Sequence, residues 1–170
     1  AGNADYCQTY VIVQDNAGNC GAKASIAGAL KTEASNGLED ATIDLQGSMP
    51  GVPPISMFDY SDQTGKYEFS NAVPFTSNVT VTPIEDDNHI NGVSTFDLVL
   101  ISKHILGLEP LTSPFQMIAA DANKSGSITT FDIVELRKLI LGVYTELPNN
   151  TSWRFVDQSF NFPNAANPFQ

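Results

Sequence analysis

The sequence predicts a multidomain chain, all-β first and helical afterwards: a small β-sandwich followed by a pair of loop-helix units. Two patterns carry that prediction. From residue 24 to 83 apolar residues recur mostly at every second position, between clusters of Gly, Pro, Asn and Asp, as a half-buried sheet requires. In the second half the same loop-to-helix pattern occurs twice without a gap. With 170 residues and 42% apolar content, the chain can bury one moderate core or two small ones, and these patterns favour two.

In the β-rich half, Ile26, Gly28 and Leu30 share one face of a first strand, and Ala41, Ile43 and Leu45 one face of a second. Asn36-Gly37 supplies the turn between them, and residues 47–54 hold too much Gly and Pro to continue a ladder. Phe58 and Tyr60 follow, then the turn Asp62-Gln63-Thr64-Gly65, then Tyr67 and Phe69 on one face, and finally Val79 and Val81. Ahead of all these, Cys7 and Cys20 flank a strand-like stretch over residues 8–13. They either close a small loop in an oxidising compartment or remain two buried thiols.

Charge narrows the functions. Eight Lys and Arg against 19 Asp and Glu give a formal net charge of -11, which repels nucleic-acid phosphates and anionic lipid headgroups. No apolar run approaches the ~18–20 residues that cross a bilayer. We expect neither a nucleic-acid partner nor membrane insertion. Residues 1–6 lack the basic start and apolar core of an export signal, so such a signal is expected to have been removed or to lie outside this sequence.

The stretch Asp62-x-x-Gly65-x-Tyr67-x-Phe69, with residues 78–83 reading Asn-Val-Thr-Val-Thr-Pro, resembles the carboxypeptidase-regulatory-like or Cna-B-like sandwiches of secreted bacterial surface proteins. That resemblance implies an Ig-like or transthyretin-like fold acting as spacer or stalk. The segment from Cys7 to Cys20 resembles the last strand of a preceding Ig-like module. It is read either as an extra edge strand of the sandwich or as a strand that completes a neighbouring molecule's sheet.

In the repeat, Val93-Ser94-Thr95-Phe96-Asp97-Leu98-Val99 matches Ile128-Thr129-Thr130-Phe131-Asp132-Ile133-Val134, and Lys103-His104-Ile105-Leu106-Gly107 matches Lys138-Leu139-Ile140-Leu141-Gly142. Leu98, Ile101 and Ile105 fall at helical spacing, as do Ile133, Leu136 and Ile140, and Gly107 and Gly142 stop the two helices.

The second loop runs from Asp121 to Asp132. Its oxygen-bearing side chains at alternate positions, its glycine at position six and its closing carboxylate suit Ca2+, a hard cation that takes about six to eight oxygens. We assign Asp121, Asn123 and Ser125 as side-chain ligands, Ser127 through its carbonyl, Thr129 directly or through water, and Asp132 as closer; the bland alternative is an Asx-rich turn that merely caps the helix. Aligned on Asp97, the first loop places Asp86 at position one, Asn88 at three, Ile90 at five and Gly92 at seven. Ile90 has no side-chain oxygen, so coordination there needs the Ile90 or Gly92 carbonyl, or water, and weaker or irregular binding of a second ion is expected.

Both copies, over residues 85–143, resemble type I dockerins, whose loop-helix (F-hand) repeats lack the entering helix of an EF-hand. The resemblance implies calcium-dependent folding and docking onto cohesin domains through loop positions ten and eleven and basic residues of the helices. Here those are Thr95, Phe96, Thr130, Phe131, Lys103, Arg137 and Lys138. Phenylalanine at position eleven is expected to pack in the core instead of docking.

Four segments result: 1–23 as leading strand and linker, 24–84 as sandwich, 85–147 as the calcium-binding repeat, and 148–170 as an extended aromatic tail that packs on its own domain. Only His89 and His104 are available as histidines and no catalytic motif is present, so no enzyme is expected, and neither imidazole is assigned metal or proton transfer. The expected function is a non-enzymatic, calcium-binding structural module of the bacterial surface, self-associating into a fibre by strand complementation. The alternative is a dockerin that attaches a larger secreted protein to a cohesin-type partner.

Overall fold

The computed structural model describes residues 3–12, 23–51 and 53–169, the first of these as backbone only. The calls on Cys7 and Cys20 therefore lie outside the described side chains. Two compact units divide the chain: one runs from Tyr6 to Ile84 with Asp157–Ser159, the other gathers Ala1–Asp5, Glu85–Val156 and Phe160–Gln170.

In the β unit, strands β1 (Asn3–Ile12), β2 (Lys23–Lys31) and β5 (Lys66–Pro74) lie in the order β5-β2-β1, and β4 (Ile55–Tyr60), β3 (Thr42–Ser48) and β6 (Asn78–Ile84) in the order β4-β3-β6. The four pairings that join these strands are antiparallel, with Cys7 opposite Leu30 and Leu45 between Met57 and Val81. The leading strand is thus an ordinary member of its own chain's sheet, which removes the motive for reading it as a strand offered to a neighbour.

Alternation decides which side chains go inside. Ile26 and Leu30 of the first sheet and Ile43 and Leu45 of the second are essentially inaccessible, with Tyr67, Phe69 and Val73 buried beside them. Each such aliphatic side chain contributes about 1.5–3 kcal/mol on burial. Phe58 and Tyr60 take the opposite face: they are exposed and meet edge to face at 5.9 Å. A period of two puts them on one side of a strand but does not say which.

The turn at residues 62–65 is built by one carboxylate. Asp62 Oδ1 accepts from the Thr64 amide at 2.7 Å, the Thr64 hydroxyl at 2.8 Å and the Lys66 amide at 3.0 Å. Gly65 follows at φ +78°, and a Cβ there would sit 2.0 Å from the Leu30 carbonyl oxygen. Only glycine both adopts that conformation cheaply and permits that approach.

The second unit contains α1 (Thr95–Ile105), α2 (Pro114–Ala120), α3 (Thr130–Ile140) and the short strand β7 (Trp153–Asp157). Both long helices open with a capping box: Ser94 pairs with Asp97, Thr129 with Asp132. Both close alike. The Leu108 amide reaches the Lys103 carbonyl and the Val143 amide that of Lys138, each at 2.9 Å, around Gly107 and Gly142 at φ +68°. Helix α2 lies between the two copies of the repeat. Ser113 caps it and Pro114 occupies its first turn, a start signal the sequence displays. The core joins Ile101, Ala120, Ala122, Leu136 and Leu139 to Leu147, which lies beyond the repeat.

Candidate metal centre

The second loop gathers its oxygens. Lys124 (φ +57°) and Gly126 (φ +77°) turn the backbone so that the Ser125 and Gly126 amides donate to the two carboxylate oxygens of Asp121, at 2.8 and 2.9 Å. Asn123 Oδ1 accepts from the Ser125 amide at 3.0 Å, and the Asn123 amide donates to Asp132 Oδ1 at 3.1 Å. The other Asp132 oxygen accepts from the Thr129 amide at 2.7 Å and hydroxyl at 3.2 Å. Asp132 therefore ties the start of the loop to the helix cap, so the capping turn and the convergent oxygens are one arrangement.

Spacing and burial suit a hard cation. Ser125 Oγ lies 3.4 Å from Asp121 Oδ1 and 3.2 Å from the Ser127 carbonyl oxygen. Neighbouring oxygens that each sit 2.3–2.6 Å from Ca2+ at right angles stand roughly 3.3–3.7 Å apart. Asp121 and Asp132 are both wholly buried, and the Arg154 guanidinium lies 3.9 Å from Asp121 Oδ2. Two buried carboxylates in one loop favour a further positive charge. Among the described residues no three His, Cys, Asp or Glu side chains form a metal cluster; this site has two carboxylates and completes its set with amide, hydroxyl and carbonyl oxygens. The donor set suits calcium, and Asp121, Asn123, Ser125, Ser127, Thr129 and Asp132 are the residues that would hold it.

The first loop is different. Asp97 accepts from the Ser94 amide at 2.7 Å and hydroxyl at 2.9 Å, matching its counterpart Asp132. Asp86, however, receives His89 Nε2 at 3.0 Å and the Ser152 amide at 2.6 Å, both on Oδ1. Asn88 and Gly92 are exposed, and Ile90 is 44% exposed. Gly92 takes up positive φ at position seven, where the second loop does so at position six. Neither Arg154 nor Ser152 is foreseeable from the loop pattern, because both come from outside the repeat.

Both histidines act as acceptors for backbone amides. His89, only 6% exposed, accepts from Leu147 through Nδ1 at 3.1 Å, and His104 accepts from Leu111 at 3.0 Å. His89 is more deeply buried than an acidic loop suggests.

Position eleven corrects one expectation. Phe96 is 64% and Phe131 71% exposed, so neither packs in the core. Phe96, Val99, Lys103 and Leu106 recur at i, i+3, i+7 and i+10, as do Phe131, Val134, Lys138 and Leu141, and the apolar members of both sets are exposed. Each helix thus carries an outward apolar stripe with a lysine in it. Lys103 pairs with Glu109 at 2.7 Å; Lys138 meets Glu135 and the Tyr144 hydroxyl, each at 3.1 Å, and those two hydrogen bonds raise its pKa.

The helical unit is a duplicated loop-helix pair with one oxygen-gathering loop and an outward apolar stripe on each long helix. Residues 84–141 match the family described as Dockerin type I domain, about a third of the chain; the β-rich region before it has no family assignment. No curated protein and no solved structure matches the chain significantly. Residues 84–141 thus form a dockerin type I domain, a non-catalytic module, and follow the strands of two small sheets in the sequence. No helix among the described residues is long and apolar enough to cross a membrane.

Proposed function

We propose that the helical unit docks this chain, in a calcium-dependent way, onto a cohesin-type protein outside the cell. The carrying observation is the pair of outward stripes at equivalent places of the two copies, headed by Phe96 and Phe131. Unpartnered apolar groups in that number on a small domain mark a contact surface. Calcium supplies positive charge between Asp121 and Asp132 and fixes the turn that delivers α3 to the partner. The β unit acts as a spacer, and the natural sites are secreted or cell-surface assemblies.

This replaces the fibre reading as the better supported one, since β1 is paired within its own sheet. The test is capture of the purified chain by an immobilised type I cohesin domain, in calcium and then in chelator. Binding in calcium alone is expected. Equal retention in both buffers, or none against a panel of cohesin domains while the chain forms calcium-dependent polymers, would favour the structural module.

A further inference from the structure

We propose that the first loop is locked by protein hydrogen bonds in place of a cation, so that the domain takes one calcium ion instead of two. The inference rests on the calcium reading of the second loop. A carboxylate oxygen offers two lone pairs in its plane. On Asp86 Oδ1 both are used, by the His89 imidazole at 3.0 Å and the Ser152 amide at 2.6 Å. The imidazole is held in that orientation from its other side: Nδ1 accepts from the Leu147 amide, which leaves Nε2 as the nitrogen carrying the proton. Ser152 is fixed in turn, its hydroxyl donating to the Glu85 carbonyl at 3.1 Å.

Three hydrogen bonds therefore join residues 85–89 to residues 147–152, and the His89–Asp86 contact ties two of them together. In the second copy the residue matching His89 is Lys124, exposed and at φ +57°, and its aspartate is bound by amides of its own loop. The remaining first-loop positions deepen the contrast. Position five is Ile90, which has no side-chain oxygen, and the positive-φ glycine is displaced by one residue. At Asp121 the donors competing with a cation are groups of the loop itself, Ser125 and Gly126. A cation at Asp86 Oδ1 would instead displace the buried His89 ring and the Ser152 amide, which are held from outside the loop, and leave them unpaired.

Calcium stoichiometry of the metal-stripped full chain tests this, by native mass spectrometry and by isothermal titration calorimetry with free calcium up to ~1 mM, the upper end of ordinary affinities. One ion per chain is expected, with Asp132→Ala reducing it to none and Asp86→Asn leaving it at one. Two ions on the natural chain, or loss of the only ion in a folded Asp86→Asn protein, would overturn the lock while leaving calcium binding intact. No ion on the natural chain would overturn both readings. Because the count is made on the natural chain, the test does not depend on a variant folding.

Discussion

The Ser152 amide donates to Asp86 Oδ1 at 2.6 Å across 66 residues of sequence. The contact joins the first loop to a segment beyond residue 141, where the family match stops. Asn150 extends the tie to the second loop, its amide nitrogen donating to the Asp121 carbonyl at 3.0 Å, and Arg154 donates to the Ile118 carbonyl at 3.2 Å. The C-terminal segment is therefore part of the helical unit's structure, and Leu147 belongs to its core.

Leu147→Ala tests that dependence. Leu147 is 6% exposed, and truncating a buried leucine costs about 2–5 kcal/mol, as transfer energy plus the cavity left behind. Urea unfolding followed by helical circular dichroism should show a loss in that range. A change below ~0.5 kcal/mol, the size of an ordinary surface substitution, would mean that the segment does not support the core.

Phe96→Ala combined with Phe131→Ala should abolish most cohesin capture and leave the melting temperature of the helical unit nearly unchanged, because both rings are exposed. Each single substitution should cost less than the pair, since each leaves one stripe whole. Binding assays alongside thermal melts read the two effects separately. A strong fall in stability without loss of capture would show that the rings pack after all.

Gly65→Ala should destabilise the β unit by more than about 1 kcal/mol. The methyl meets the Leu30 carbonyl oxygen, and φ +78° is unfavourable for alanine. Chemical denaturation followed by tyrosine and far-ultraviolet signals measures it; a neutral result would place the turn differently.

Asp62 gives the β unit an acid sensitivity of known sign. The Lys66 amide, then the Thr64 hydroxyl and amide, lower its folded pKa below the ordinary 3.8. A carboxylate depressed in the folded state contributes stability that is complete above 3.8 and disappears as pH falls through the lowered value. Thermal melts from pH 6 downwards should therefore show Asp62→Asn differing from the natural chain above pH 4 and converging with it in stronger acid. A difference that grows as pH falls would have the wrong sign.

How much of this was legible follows from the range of the interactions. The repeat, the capping positions Ser94 and Thr129, and the stops at Gly107 and Gly142 depend on neighbours within one turn, so spacing reveals them. The strand faces of Ile26, Leu30, Ile43 and Leu45 were equally plain. The outward direction of Phe96 and Phe131 was missed because the helical phase places them opposite Ile101 and Leu136, a geometric reading that size and apolarity obscured. The seven-residue α2 was too short for periodicity, although Ser113-Pro114 marked its start. Nothing local announces that Asp86 will be claimed by Ser152, or that Arg154 will stand near Asp121.

The most direct measurement is calorimetric melting of the full chain in calcium and in chelator, resolving the helical unit from the β unit. A ligand that binds only the folded state adds about 2.7 kcal/mol at a hundredfold excess over its Kd. The helical transition should rise markedly in calcium, with the β-unit transition unmoved and Asp132→Ala abolishing the rise. Superimposable melts in the two buffers, for a natural chain whose helices are folded, would contradict the account.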